Sequence, residues 1–318
     1  MSGSRGSTEK IVALAGGVGA ARFLDGLARV AGPERLCIIG NVGDDAEIHG
    51  LHIAPDLDTV MYTLAGLAHR EHGWGIEGDT FRCLEALGRL GGETWFQLGD
   101  RDLATHLYRT ERLRAGATLS QVTREIAAAL GVRAAIVPAT DQRVRTMVRT
   151  PAGELDFQTY FVRRRAGDAV RGLRYAGARQ ASAAPGVLEA IAQAAAVVLC
   201  PSNPFISIGP ILAVPGVRQA LRRARCPVVA ISPIVGGKAL KGPAARMMRS
   251  LGHPVSAFGV AQLYRDFVKV FVLDQVDARK AREIEGLGMR AVVTNTIMAG
   301  MREKRALARA VLAAAGVR

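Results

Sequence analysis

The stretch KIVALAGGVGAARFLDGLARV, residues 10 to 30, constrains this chain more than any other. Its opening run of small apolar residues has no polar partner to alternate with, which predicts a strand buried on both faces. Such a strand belongs in a parallel sheet covered by helices on either side. Glycine fills positions 16, 17 and 19, and Phe23, Leu24 and Leu27 then recur at helical spacing. A strand, a glycine turn and a helix in that order offer free backbone N–H groups and a positive helix end, both of which favour a phosphate oxygen. A tight turn with no ligand is the plainer alternative. The turn departs from two better-known phosphate loops. A nicotinamide fingerprint places a third glycine where Arg22 stands, because helix and strand must pack closely there. A Walker loop needs Gly-Lys-Ser/Thr, and none follows. An NAD-dependent oxidoreductase is therefore disfavoured.

The same succession of apolar strand, small-residue loop and helix returns further along. AAAVVLC (194–200) runs into PSNPFISIGPIL, and PVVAIS (227–232) runs into PIVGGKALKGPAARMMRSLG. LCIIGN (36–41) and VKVFVLD (268–274) read as further strands. The expected fold is α/β, a doubly wound, Rossmann-like, three-layer and mostly parallel sheet within a single domain over 1–318. Between about 105 and 185 the pattern changes. ATLSQVTREIAAALGV predicts a helix with Thr118 as its N-cap. The residues after it alternate like paired strands around a Pro-Ala-Gly turn at 151–153, with FQTYFVRR as one of them. This region is expected to be an α+β insertion packed on the core; a true second domain is the other possibility.

Composition narrows the function classes. No uncharged apolar run is long enough for a membrane helix, and the lead MSGSRGSTEK lacks the apolar centre of a secretory signal. The four cysteines are scattered without a C-x-x-C pair, which argues against zinc or disulfides and fits a reducing compartment. A cytoplasmic protein with no membrane partner is expected. The net charge of +14 brings nucleic acid to mind, but the charge is dispersed and aromatic residues are only 5%, so base-stacking platforms look scarce. An anionic small molecule, or a plain bias toward arginine, explains the charge more simply.

Acidic turns sharpen that choice. Asp44 and Asp45 follow a predicted strand, Asp56 and Asp58 open a helical stretch, and Asp100 and Asp102 open another. Asp56 and Asp102 could simply cap their helices. Several acidic turns beside a phosphate-type loop in a basic chain nevertheless suit Mg²⁺ held by carboxylates and substrate phosphates. The histidines form no H-E-x-x-H pattern, so His49 and His52 are read as polar contacts rather than zinc ligands. In PSNPFISIGP, Ser202, Asn203 and Ser207 follow a strand and could meet phosphate or ribose oxygens. Lys238 and Lys241 share one glycine-rich loop, although no other lysine occurs between Lys10 and Lys238. They could counter charge on a leaving group, or be solvated loop lysines.

Taken together, GGVGAARFLDGL, NVGDD, HGLHIAPDLDTVMYTL, WGIEGDTF, LGDRDLATH, LCPSNPFISIGPIL and SPIVGGKALKGPA resemble the 2-phospho-L-lactate transferases, whose bacterial members are called phosphoenolpyruvate transferases of coenzyme F-420 synthesis. The resemblance spans roughly residues 10 to 300. It implies a guanosine diphosphate-linked donor, the deazaflavin Fo as acceptor, Mg²⁺, and a homodimer. The implied reaction moves a phospho-lactyl, phosphoenolpyruvyl or related phosphoacid group onto the terminal ribityl hydroxyl, and GMP leaves. Asp45 and Asp58 match the family's positions for metal and acceptor, and Asp58 could orient the attacking hydroxyl. Gly16, Gly17, Gly19, Ser202, Asn203, Ser207 and Lys241 would contact substrate. Lys238 is our own candidate for the leaving group. The residue before LGDRD varies in the family and can be lysine; here it is Gln97, which would act through neutral hydrogen bonds or its backbone. A nucleotide-sugar-binding regulatory protein of the same superfamily is the alternative, sharing the glycine turn and the SNP loop without a deazaflavin pocket.

Overall fold

Strand β1 (Ile11–Ala15) is fully buried at all five residues, and its alternate side chains feed two separate cores. Ile11, Ala13 and Ala15 pack on one face with Phe23, Leu24 and Leu27 of helix α1 (Gly17–Ala31) and with Leu307 and Val311 near the carboxyl end. Val12 and Leu14 point to the other face, against Ile208, Ile211 and Val217. Two apolar layers around one sheet make three layers, as the unbroken apolar run requires. These contacts come from a computed structural model that describes residues 9–317. The polar lead, where no secretory signal is expected, lies up to residue 8 outside the described residues.

The remaining strands of the main sheet are β2 (Leu36–Gly40), β3 (Ala135–Pro138), β4 (Ala196–Leu199), β5 (Val228–Ile231), β6 (Val270–Asp274) and β7 (Arg290–Thr294). They lie in the order β7-β6-β5-β4-β1-β2-β3 and all run parallel. Ile11 pairs with Leu36 on one side and with Ala196 on the other. The chain therefore winds outward in both directions from the β1–β4 boundary. In such sheets the loops at the carboxyl ends diverge at this boundary and leave a crevice. The expected doubly wound α/β fold is what the chain adopts. No helix among the described residues is long and apolar enough to cross a membrane.

The 105–185 region is less uniform than its pattern suggests. Thr118 does cap the helix Leu119–Ala129, accepting from the Gln121 amide at 3.2 Å while Gln121 Oε1 accepts from the Thr118 amide at 2.8 Å. The AAIV run, however, joins the main sheet as edge strand β3 beside β2. Arg145–Thr150, Gly153–Asp156 and Gly172–Ala176 form a separate antiparallel sheet, with the first strand in the middle. The expected FQTYFVRR strand is instead a wide helical turn over Thr159–Arg163. Asp156 explains it: its carboxylate accepts from the Thr159 amide at 2.9 Å and from Thr159 Oγ1 at 2.6 Å, so the chain turns as at a helix start. Phe157 and Phe161, four apart, then stack at 5.3 Å. Several bonds fasten this small sheet and the turn after it to loops of the large one, among them the Thr146 amide donating to the Gly43 carbonyl at 2.7 Å. Gln158 Nε2 donates to the Asp44 carbonyl at 2.8 Å, and the Tyr175 hydroxyl donates to the Phe205 carbonyl at 2.5 Å.

Candidate functional site

A cavity of about 880 Å³ opens at the carboxyl edge of the sheet, at the β1–β4 boundary. Its walls come from the turn after β1, helix α2 (Pro55–Leu64), the loops after β4 and β5, and residues 296–299 after β7. The glycines of the first turn let these walls meet. A Cβ on Gly16 would lie 2.5 Å from Asp56 Oδ2 and 2.7 Å from Ser207 Cβ, and one on Gly19 would lie 2.5 Å from the Pro201 carbonyl oxygen. Gly17 adopts a φ of 76°, in the left-handed region where glycine is favoured. The Ser202 hydroxyl ties the turn to the β4 loop by donating to the Gly16 carbonyl at 2.8 Å. Asn203 Oδ1 accepts from the Phe205 amide at 2.9 Å and so shapes its own loop.

The start of α1 is not bare. The Gly17 amide donates to Asp56 Oδ1 at 2.8 Å, and Asn41 Nδ2 holds the other oxygen at 2.8 Å. The positive helix end is thus already met by a carboxylate of the chain. Burial, opposed by these two bonds, still pushes the Asp56 carboxyl up to about 6. Asp44 and Asp45 lie close by. Burial raises both, and the charges of Asp56 and Asp45 drive Asp44 well above the usual carboxylate range. Each keeps one buried oxygen, Oδ1, without a hydrogen-bond partner, while Asp45 Oδ2 lies 3.2 Å from His52 Nε2. Buried, partnerless oxygens on neighbouring carboxylates are what a hard divalent cation satisfies, so the residues present fit Mg²⁺. Asp44 lines the large cavity and, with Asp45, a smaller adjoining one of about 170 Å³.

Asp58 is differently employed. Helix α3 (Asp100–Arg114) carries Asp102, His106 and Arg109 at spacings of four and three, on one face. Arg109, fully buried, grips both Asp58 oxygens, with Nη1 to Oδ2 at 3.1 Å and Nη2 to Oδ1. His106 Nδ1 lies 3.2 Å from Arg109 Nη1, and its Nε2 lies 3.2 Å from Asp102 Oδ1, which also accepts from the Tyr62 hydroxyl at 2.6 Å. Burial pushes the Asp102 carboxyl up, but His106, Tyr62 and Arg109 outweigh it and hold it below the usual range. Asp58, Asp102 and His106 sit within 4.8 Å of one another by their ligand atoms, yet the guanidinium already supplies their positive charge.

Of the residues singled out in the sequence, Gly16, Gly17, Gly19, Asp58, Gln97, Ser202, Asn203, Ser207 and Lys241 line the large cavity. Asp45 reaches only the smaller one, and exposed Lys238 lines neither. Lys241 Nζ donates to the carbonyls of Glu71 and His72 at 3.3 and 3.2 Å. Sequence reasoning missed the aromatic lining. Tyr62, Trp74, Trp95, Phe96, Phe157 and Phe161 all face the cavity, both tryptophans of the chain among them. It also missed Arg109 and His106, although the D-x-x-x-H-x-x-R spacing on a helix was there to be read.

The fold and this site define a ligand-binding α/β protein whose pocket sits at the switch point of a doubly wound sheet. The 2-phospho-L-lactate transferase family, CofD, matches residues 11–305, and the chain belongs to it. It is 44% identical to a phosphoenolpyruvate transferase of Streptomyces griseus, over 95% of this chain and 97% of that protein. It is 40% identical to a 2-phospho-L-lactate transferase of Methanosarcina acetivorans, over 94% and 96% respectively. A crystal structure of a UPF0052-family protein from Bacillus halodurans shares the fold, with a TM-score of 0.62 over 96% of this chain and 98% of that one at 17% identity.

Proposed function

We propose that the protein transfers a phospho-lactyl or phosphoenolpyruvyl group from a guanosine diphosphate-linked donor to the ribityl hydroxyl of the deazaflavin Fo, releasing GMP in coenzyme F-420 biosynthesis. The hydroxyl oxygen forms a bond to the phosphoacid phosphorus, the bridging P–O bond of the diphosphate breaks, and the hydroxyl proton is lost. One observation carries this reading: an aromatic wall and a cluster of buried carboxylates face the same cavity. A ring acceptor has surfaces to stack on, and a diphosphate has a place for a cation.

Asp44 and Asp45 would hold Mg²⁺, which supplies neutralisation of phosphate oxygens when bound. Asp58, fixed by Arg109, accepts a hydrogen bond from the ribityl hydroxyl and aims its oxygen at phosphorus. Gly16, Gly19, Ser202 and Asn203 keep the nucleotide-side loops together. The reading is supported by the names of the two relatives above and by the match of family and fold. The test is incubation with Fo, GTP, each candidate phosphoacid and a guanylyltransferase, followed by product mass. A phosphodiester of Fo is the expected product. Absence of both product and saturable Fo fluorescence change would return the chain to the regulatory, nucleotide-sugar-binding alternative.

A further inference from the structure

The glycine turn leaves an electrostatic question. Its first helical amide is spent on Asp56, and Asp56 itself adds negative charge at the mouth of α1. A diphosphate in this cavity therefore needs positive charge from elsewhere on the wall. Two cations supply it. Arg22, one turn along α1 from Val18, is half-buried, lines the cavity and has neither a carboxylate nor a hydrogen-bond partner among the described residues. Lys241 lines the same cavity and meets only the carbonyls of Glu71 and His72 among the described residues.

These two side chains come from opposite halves of the sheet, and one loop brings them together. The 69–75 loop touches α1 at Gly73, where a Cβ would lie 2.5 Å from Val18 Cγ1. The same loop receives Lys241 through its carbonyls two and one residues earlier. Lys241 is thereby held beside the first turns of α1. Burial lowers its affinity for its proton and the nearby charge of Arg22 lowers it further. Three of the cavity's acids are engaged elsewhere, Asp56 by Gly17 and Asn41, Asp58 by Arg109, and Asp102 by Tyr62 and His106, and the fourth, Asp44, is the candidate cation ligand.

We propose that Arg22 and Lys241 form an anion subsite that binds the diphosphate of the donor nucleotide, a deepening that rests on the transferase reading above. Arg22 is then a substrate-binding residue, and the position that disqualifies a nicotinamide fingerprint is the one that replaces backbone amides with a guanidinium. Charge-assisted contacts of this kind change affinity by about tenfold or more when one is removed.

The experiment is calorimetric titration of the full chain with inorganic pyrophosphate and, separately, with GDP. Arg22→Gln and Lys241→Gln are compared with Arg29→Gln, which removes the same charge from an exposed site on the same helix. Melting temperatures verify folding, and Arg22→Lys keeps a charge at the site should Arg22→Gln fold poorly. Loss of about tenfold or more in pyrophosphate affinity in the two cavity variants, with Arg29→Gln unchanged, is expected. Binding within about twofold of wild type in both cavity variants overturns the subsite, as does a wild-type protein that binds neither probe. Pyrophosphate binding that needs Arg22, together with no GDP binding by wild type, sustains the subsite while counting against the guanosine-linked donor.

Discussion

The two flanks of the cavity solve opposite problems. On the α2–α3 side, Asp58, Arg109, His106, Asp102 and Tyr62 are joined in a buried network in which every carboxylate has a partner, although Arg109 Nε and His106 Nε2 keep no hydrogen bond of their own. On the α1 side, Arg22 is unpaired among the described residues, Lys241 leans on carbonyls, and Asp44 and Asp45 each retain an idle oxygen. Carboxylates gripped by a partner hold geometry; those with an idle oxygen are poised for something that arrives. Burial alone does not separate the two, since Asp44 and Asp58 are both buried. Partnership does.

The sharpest attack on this contrast is Arg109→Ala. It strands a buried carboxylate and should cost about 3–5 kcal/mol in denaturant unfolding, whereas Arg22→Ala should stay within about 0.5 kcal/mol of wild type. Equal effects would erase the difference between the flanks. Next comes Asp58→Asn, which keeps an acceptor for Arg109 while weakening the hold on the ribityl hydroxyl. Under the transferase reading, kcat should fall by about 10²-fold with a smaller change in unfolding, and near-normal turnover would remove Asp58 from the chemistry. Mg²⁺ provides a binding measurement. At a hundredfold excess over its Kd it should add about 2.7 kcal/mol of stability, an increment that Asp45→Asn should abolish. If the variant responds like wild type, the idle oxygens have another purpose.

The smallest effects concern glycine. Gly19 and Gly26 lie on the same helix, and a Cβ on either would come within 2.5 Å of backbone, at Pro201 and Lys304 respectively. Alanine at each should cost about 1–3 kcal/mol in unfolding. Only Gly19→Ala should also raise KM for the donor, because only there does the clash push neighbouring cavity walls apart. Matching KM values for the two variants would detach the glycine turn from the site.

How far the sequence could be read follows from whether the cause of each feature is local. β1 and its neighbours are legible because burial on both faces removes polar alternation from the chain itself. Thr118 is legible because a cap needs only the residues three positions on. The helical turn at Thr159–Arg163 is not legible because a single carboxylate, Asp156, overrides an alternating pattern. Glycine is ambiguous in another way: a position that needs a left-handed φ, such as Gly17, and one that needs close approach, such as Gly19, are spelled alike. The cavity's rings arrive from segments near 62, 74, 95 and 157–161, so no window along the chain contains the surface they build together. The low aromatic content was true of the whole chain and misleading about its pocket.

The bonds from the small antiparallel sheet and the turn after it, Thr146 to the Gly43 carbonyl, Gln158 to the Asp44 carbonyl and Tyr175 to the Phe205 carbonyl, bear on engineering. They are rivets between an appendage and the rims that follow β2 and β4. Trimming the appendage to obtain a leaner scaffold would also uncover the core that Val148, Phe157 and Tyr160 share with Val12, Leu14 and Ile39. Pocket and frame therefore lean on the same appendage and cannot be engineered apart.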